Sequence, residues 1–179
     1  MLNLIQITED KFDVELDIRY ATKNNVVGEA MYKQPLCYLH PKAVTYLEKA
    51  IILANIQGYK LKIFDGYRPI EVQQYFFDKF PGGFVSNPAI GRIPHCRGVA
   101  IDLTLIDQNG VELEMGTEFD NFTELANHAC TKVSPLAQKN RFILMGIMLS
   151  SGFDFLAAEW WHYQLPDPRN YEVIKNFLI

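Results

Sequence analysis

Two periodicities of apolar residues run along this chain, and the switches between them mark its elements. Residues 13–20, Asp-Val-Glu-Leu-Asp-Ile-Arg-Tyr, alternate polar and apolar, which predicts a half-buried strand. A loop carrying Asn24-Asn25 and Gly28 follows. His40-Pro41 then opens a helix with apolar residues at Val44, Leu47, Ile51 and Ala54, closed by Gly58. Residues 59–64 read as a strand. Asp65-Gly66-Tyr67-Arg68-Pro69 turns the chain, and Pro69 suits the first position of a helix running to about Lys79. Residues 81–96 are rich in glycine and proline and predict a long irregular loop, often a functional feature in a compact domain. Residues 98–105 form a second alternating strand. Asp107-Gln108-Asn109-Gly110 turns it back toward 111–115, a hairpin signal. Ser134-Pro135 starts a long helix ending before Gly152, and a last strand is expected near 160–165. Strands and helices are interspersed without regular βαβ repetition. The expected fold is therefore α+β, with a mainly antiparallel central sheet flanked by helices.

Composition narrows the class. At 179 residues the chain suits a single domain spanning 1–179. Nearly half of the residues are hydrophobic, enough for a real core, and a charged fraction of 21% does not favour disorder. A formal net charge of −4 speaks against a nucleic-acid partner and against a polybasic membrane anchor. The start of the chain lacks the pattern of a signal peptide. The longest apolar stretch, 142–149, is broken by Gly146 and falls far short of the ~20 residues that span a bilayer. Cys37, Cys96 and Cys130 make an odd count without C-x-x-C spacing, neither a disulfide framework nor a thiolate metal cage. A cytoplasmic location is expected; the oligomeric state is left open.

The candidate chemistry lies where local preference and sequence disagree. In the strand 98–105 one face carries Val99, Ile101, Leu103 and Leu105, and the other Ala100, Asp102 and Thr104. Aspartate is depleted in strand interiors, so Asp102 needs a cation, a cluster of donors or, on an edge strand, open solvent. His95 lies seven residues earlier, on the loop entering that strand. Glu159-Trp160-Trp161-His162-Tyr163 places two ionisable residues around two tryptophans in a segment that reads as buried. It is either an aromatic core strand with an exposed glutamate or part of a site. A three-residue offset sets Glu159 and His162 on opposite faces of a regular strand, so the chain must bend or bulge if both face one site. His95, Asp102 and His162 are donor types suited to Zn²⁺, and three protein ligands leave a fourth position for water. Glu159 beside them is a candidate base. Arg68 precedes a helix N-terminus, where the dipole disfavours a cation. It either pairs with Asp65 or faces an anion that develops during reaction, such as the oxygen of a tetrahedral intermediate.

Three blocks carry a family resemblance: His95-Cys96-Arg97-Gly98-Val99-Ala100-Ile101-Asp102-Leu103-Thr104, Glu159-Trp160-Trp161-His162-Tyr163 and Asp65-Gly66-Tyr67-Arg68-Pro69. Together with Arg19-Tyr20-Ala21-Thr22 and Met115-Gly116-Thr117-Glu118-Phe119-Asp120, they closely resemble the D-alanyl-D-alanine dipeptidases of the VanX type, in the same order over about residues 13–165. The resemblance implies a zinc metallopeptidase with one Zn²⁺ per chain at the sheet, bound by His95, Asp102 and His162. It also implies Glu159 as catalytic base and Arg68 as stabiliser of the tetrahedral intermediate. The implied partner is a small D-dipeptide held at both charged ends, with Asp120 and Tyr20 in segments similar to those lining the family's cavity. One departure stands out: where the family has serine two residues before the first zinc histidine, this chain has Ile93, which puts the preferred dipeptide in question. Alternatives are a zinc D,D-carboxypeptidase or endopeptidase acting on longer peptidoglycan peptides, and a metal-binding module without catalysis.

Overall fold

The structure, a computed structural model, describes residues 4–80, 85–175, 177 and 179; residues 81–84, the start of the expected loop, lie outside the described residues. Its centre is a five-stranded sheet built from β2 (Val14–Leu16), β4 (Lys60–Asp65), β5 (Ala100–Ile106), β6 (Asp154–Phe155) and β7 (His162–Gln164), ordered β2-β4-β5-β7-β6. β2 runs parallel to β4, while the other three pairings are antiparallel, as the sequence pattern predicts. A separate two-stranded ribbon pairs β1 (Ile5–Ile7) with β3 (Cys37–Leu39). The helices are α1 (Pro41–Ile56), α2 (Ile70–Lys79) and α3 (Pro135–Ser151). Among the described residues no helix is long and apolar enough to cross a membrane.

The helices begin where capping chemistry sets them. His40 accepts a hydrogen bond from the Lys42 amide through Nδ1, and Ser134 Oγ accepts one from the Ala137 amide; each precedes a proline at the first helical position. Gly152 closes α3 at φ +112°, where any Cβ would meet the Tyr46 ring at 2.7 Å. α1 buries Ala43, Val44, Leu47, Ala50, Ile51 and Ala54, a stripe of helical spacing that joins Ile101, Leu103 and Leu105 of β5 in one core.

Three expectations are corrected. The strand predicted over 13–20 pairs only at 14–16, with one further bond from Asp17 N to Ile63 O. A 3₁₀ turn at Arg19–Ala21 then breaks the alternation and buries Tyr20 beside Ile18. The return from the 107–110 turn is a hairpin without a second strand, since only the bridge Ile106↔Glu112 forms. The reason lies in α3, whose side chains claim the carbonyls: Asn140 donates to Glu114 O and the fully buried Arg141 to Met115 O. Arg141 also donates to Leu125 O and Asn127 O, so one guanidinium anchors the whole crossing from 115 to 127. Finally, β5 is not an edge strand. It lies between β4 and β7 with all seven residues buried, which removes the solvated reading of Asp102.

A candidate metal and substrate site

Register builds the centre of the site. In β4 the pairing runs Ile63↔Leu103 and then Asp65↔Asp102, so two residues of β4 oppose one of β5. This bulge turns Asp65 onto the face of Asp102, where a regular strand would have placed Phe64. On the other side Asp102 pairs with His162, the first residue of β7. Cross-strand partners share a face, so Asp65, Asp102 and His162 stand in a row on three adjacent strands. His95 joins them from a 3₁₀ turn, His95–Arg97, that leads into β5. Gly98 ends that turn at φ +66°, and a Cβ there would lie 2.7 Å from Leu4 Cδ2.

The hydrogen bonds set the tautomers. His95 Nδ1 lies 2.7 Å from Gly66 O, an acceptor only, so Nδ1 carries the proton and Nε2 is bare. Bare Nε2 points at Asp102 Oδ2, 3.3 Å away, and at His162 Nδ1, 3.2 Å away. His162 Nε2 donates to Gln164 Oε1 at 3.2 Å, which leaves Nδ1 bare, 3.0 Å from Asp102 Oδ1. One donor atom from each of the three residues lies within 4.8 Å of the others, and all three side chains are buried. Two lone pairs and a carboxylate aimed at one point, with no proton assigned between them, are matched by a cation. Two nitrogens and one oxygen suit Zn²⁺, so the donor set fits the metal. The outward hydrogen bonds to Gly66 O and Gln164 supply the support that orients metal-binding imidazoles. Burial alone would raise the Asp102 carboxyl, but the two imidazoles beside it hold it well below the usual carboxylate range.

Around this cluster lies a cavity of about 150 Å³, below the ~300–1,000 Å³ of clefts that take drug-sized ligands. Glu159, Arg68, Asp120 and Tyr20 line it together with the three metal-type donors, so every residue singled out from the sequence meets in one place. Glu159 and His162 do face one site, though by a different route from a bulged strand. β7 begins only at His162, and Glu159 sits in the preceding turn, held by Glu159 N to Leu156 O and His162 N to Glu159 O. The loop is tied down by Trp160 N to Ala126 O and by His128 N to Ala157 O. Burial pushes the Glu159 carboxyl up to about 7, and the nearby Asp102 charge adds to this while His162 opposes it.

Arg68 pairs with Asp65, the first of the two expectations held for it, while also lining the cavity. Its Nε and one terminal nitrogen donate to Asp65 Oδ2 at 3.0 and 2.8 Å, its other terminal nitrogen donates to Gln73 Oε1 at 3.1 Å, and it stands 3.5 Å from Asp102 Oδ2 at the cavity wall. Asp65 is wholly buried. Desolvation raises its carboxyl against the opposing charge of Arg68, and Tyr32 donates to it at 2.8 Å. Asp120 sits at φ +60°, with the Tyr20 hydroxyl 2.8 and 3.0 Å from its two oxygens. Burial lifts this carboxyl to about 8 against the Tyr20 hydrogen bond. Residues that the sequence did not single out for the site are Gln73, Gln164, the Gly66 carbonyl and Arg92. The first three act through tertiary contacts that leave no periodic trace, and Arg92 lines the cavity.

A small cavity over a buried imidazole–carboxylate–imidazole cluster, with a carboxyl and a guanidinium beside it, has the parts of a metal-dependent hydrolase. Sequence comparison gives the branch: the Peptidase_M15 family described as D-ala-D-ala dipeptidase matches residues 1–178, and the chain belongs to that family. The D-alanyl-D-alanine dipeptidase of Escherichia coli is 39% identical over 165 residues, covering 92% of this chain and 85% of that protein. The enzyme of the same name from Enterococcus faecium is 33% identical over 179 residues, covering 86% and 87%. Among solved structures, a Zn(II) complex of a VanY D,D-pentapeptidase variant from a VanB-type resistance cassette aligns with a TM-score of 0.48 and 16% identity, over 89% of this chain and 83% of that one.

Proposed function

We propose that residues 1–179 form one zinc-dependent D,D-dipeptidase domain that hydrolyses free D-alanyl-D-alanine or a closely related small D-dipeptide in the cytoplasm. The carrying observation is that the bare donors of His95, Asp102 and His162 meet within 4.8 Å in the same cavity as Glu159 and Arg68. Family membership and the two named relatives support the substrate class. The three free cysteines suit a reducing compartment.

Bound zinc would supply Lewis acidity, bringing the pKa of a water toward ~7 and polarising the scissile carbonyl. Glu159 takes the proton from the attacking water and delivers it to the leaving amine, a task suited to a carboxyl whose burial raises its proton affinity. Three of Arg68's five N–H donors are engaged by Asp65 and Gln73, which leaves two for the oxygen that becomes negative in the tetrahedral intermediate. Asp65 holds that guanidinium in place. Asp120 and Tyr20 receive the substrate's ammonium group, whose charge restores Asp120 to its ionised form.

A dipeptidase and a carboxypeptidase differ in what they demand at the amino end. Zinc-loaded protein is therefore assayed on D-Ala-D-Ala and on N-acetyl-D-Ala-D-Ala. A strong preference for the free dipeptide is expected; faster cleavage of the acylated compound would overturn the dipeptidase assignment in favour of a carboxypeptidase.

A further inference from the structure

A free dipeptide is a zwitterion at neutral pH, with a carboxylate of pKa ~3.5 and an amine near 8. Anchoring both ends most strongly therefore uses one anion and one cation in the cavity beyond those used in chemistry. Asp120 is the anion. Two arginines line the cavity, Arg68 and Arg92. Arg68 is committed: Asp65 takes two of its N–H groups and Gln73 another, and the remaining two serve the oxygen of the tetrahedral intermediate. Gln73 is committed as well, accepting from Arg68 and donating to Ser86 O at 3.0 Å. Ile93, buried at the same wall, has no polar side-chain atom. Arg92 differs from all of these: it is exposed, and among the described residues its guanidinium has neither hydrogen-bond nor ion-pair partner.

The base of that side chain is nonetheless fixed. The Arg92 carbonyl accepts from Arg97 Nε at 2.8 Å, and the next residues are pinned by Cys96 N to Ile93 O and by Arg97 N and Val99 N to Pro94 O, each at 3.1 Å. Ile93 takes φ +39°, a conformation that β-branched residues rarely adopt, and it persists because these contacts hold it. An unengaged guanidinium on a pinned loop at the cavity wall is built to receive a carboxylate.

We propose that Arg92 grips the α-carboxylate of the dipeptide and so makes a free C-terminus a condition of efficient turnover. The inference rests on the dipeptidase assignment above and adds a specificity determinant to it. The test pairs a change in the protein with a change in the substrate: wild type, Arg92→Gln and Arg92→Lys, zinc-loaded, each assayed on D-Ala-D-Ala and on D-alanyl-D-alaninamide. With an exposed, unpartnered side chain, the variants are expected to match the wild-type melting curve. For D-Ala-D-Ala, Arg92→Gln should raise KM about 10–100-fold, the scale of one charge-assisted hydrogen bond, with kcat nearly unchanged. Arg92→Lys should recover part of the loss. The wild-type preference for the acid over the amide should largely vanish in Arg92→Gln. An unchanged KM, or a rise equal for acid and amide, would overturn the role of Arg92 while leaving the dipeptidase assignment standing. A zinc-loaded wild type inert toward D-Ala-D-Ala would instead sink that assignment, and this inference with it.

Discussion

Arg68 carries two duties that one pair of variants separates. Replacing it by methionine removes a guanidinium that gives Asp65, a wholly buried carboxylate, two of its three side-chain hydrogen bonds and leaves only the Tyr32 hydroxyl. Removing one partner of a buried ion pair typically destabilises by about 3–5 kcal/mol, a large part of the ~5–15 kcal/mol that holds a domain folded. At about 2–4 °C per kcal/mol for a chain of this size, Arg68→Met should melt about 6–20 °C below wild type. Adding Asp65→Asn removes the stranded charge, so the double variant should regain most of that loss. Turnover should not follow. Losing one donor to a developing oxyanion costs about 10²–10³ in kcat, and that deficit should remain in the double variant. Thermal melts by circular dichroism, together with kcat on D-Ala-D-Ala at a temperature where every variant is folded, give both numbers. Recovery of turnover alongside stability in the double variant would refute the electrostatic role and leave Arg68 a structural residue. An unchanged melting temperature in Arg68→Met would refute the buried-pair analysis instead.

Other expectations follow from the same geometry. Glu159→Gln should keep zinc but lose about 10²–10⁴ in kcat, the usual scale for a general acid–base; near wild-type turnover with metal bound would remove Glu159 from the proton path. In Gly66→Ala the new Cβ would lie 2.9 Å from Cys37 Sγ and from Tyr38 O, which must shift the Gly66 carbonyl that orients His95. Zinc affinity by chelator competition should then fall about 10–100-fold, against no change if that carbonyl is incidental. His128 is buried and, among the described residues, neither ring nitrogen has a hydrogen-bond partner; burial, with the Arg141 charge, lowers its pKa from 6.5 to about 4. Between those values the unfolded chain binds a proton that the folded one refuses. Stability is therefore fully present above 6.5 and declines as pH falls toward 4, by on the order of 3 kcal/mol. His128→Phe should flatten that part of a denaturation series run against pH, and an unaltered slope would show that His128 does not set it.

How much of this was legible before the structure depends on the range of the interaction concerned. The helices at 41–56 and 135–151 were readable because their caps and apolar stripes are local. So was β5, whose alternation is unbroken. Segments failed where a distant partner overruled the local pattern. Tyr20 leaves its strand to meet Asp120, a hundred residues on, and the hairpin after Gly110 loses its second strand to Arg141 and Asn140. The metal-type donors stood out because a carboxylate inside a strand and a histidine among tryptophans conflict with their surroundings. Asp65 gave only half of its role away. Its proximity to Arg68 was visible, but its place beside Asp102 depends on a bulge between Ile63 and Asp65, and nothing in the β4 pattern announces an extra residue. Gln164 and the Gly66 carbonyl were hidden for a related reason: the tautomer of a histidine is decided by whichever group faces its second nitrogen, and only the folded chain shows that.

Titration of metal-free protein with Zn²⁺, following hydrolysis of D-Ala-D-Ala and bound metal in the same samples, tests the account most directly. Activity should rise in proportion to zinc and level off at one equivalent per chain, and His162→Ala should lose tight binding and turnover together. Full activity in the metal-free protein, or stoichiometric tight zinc binding that survives loss of His162, would contradict it.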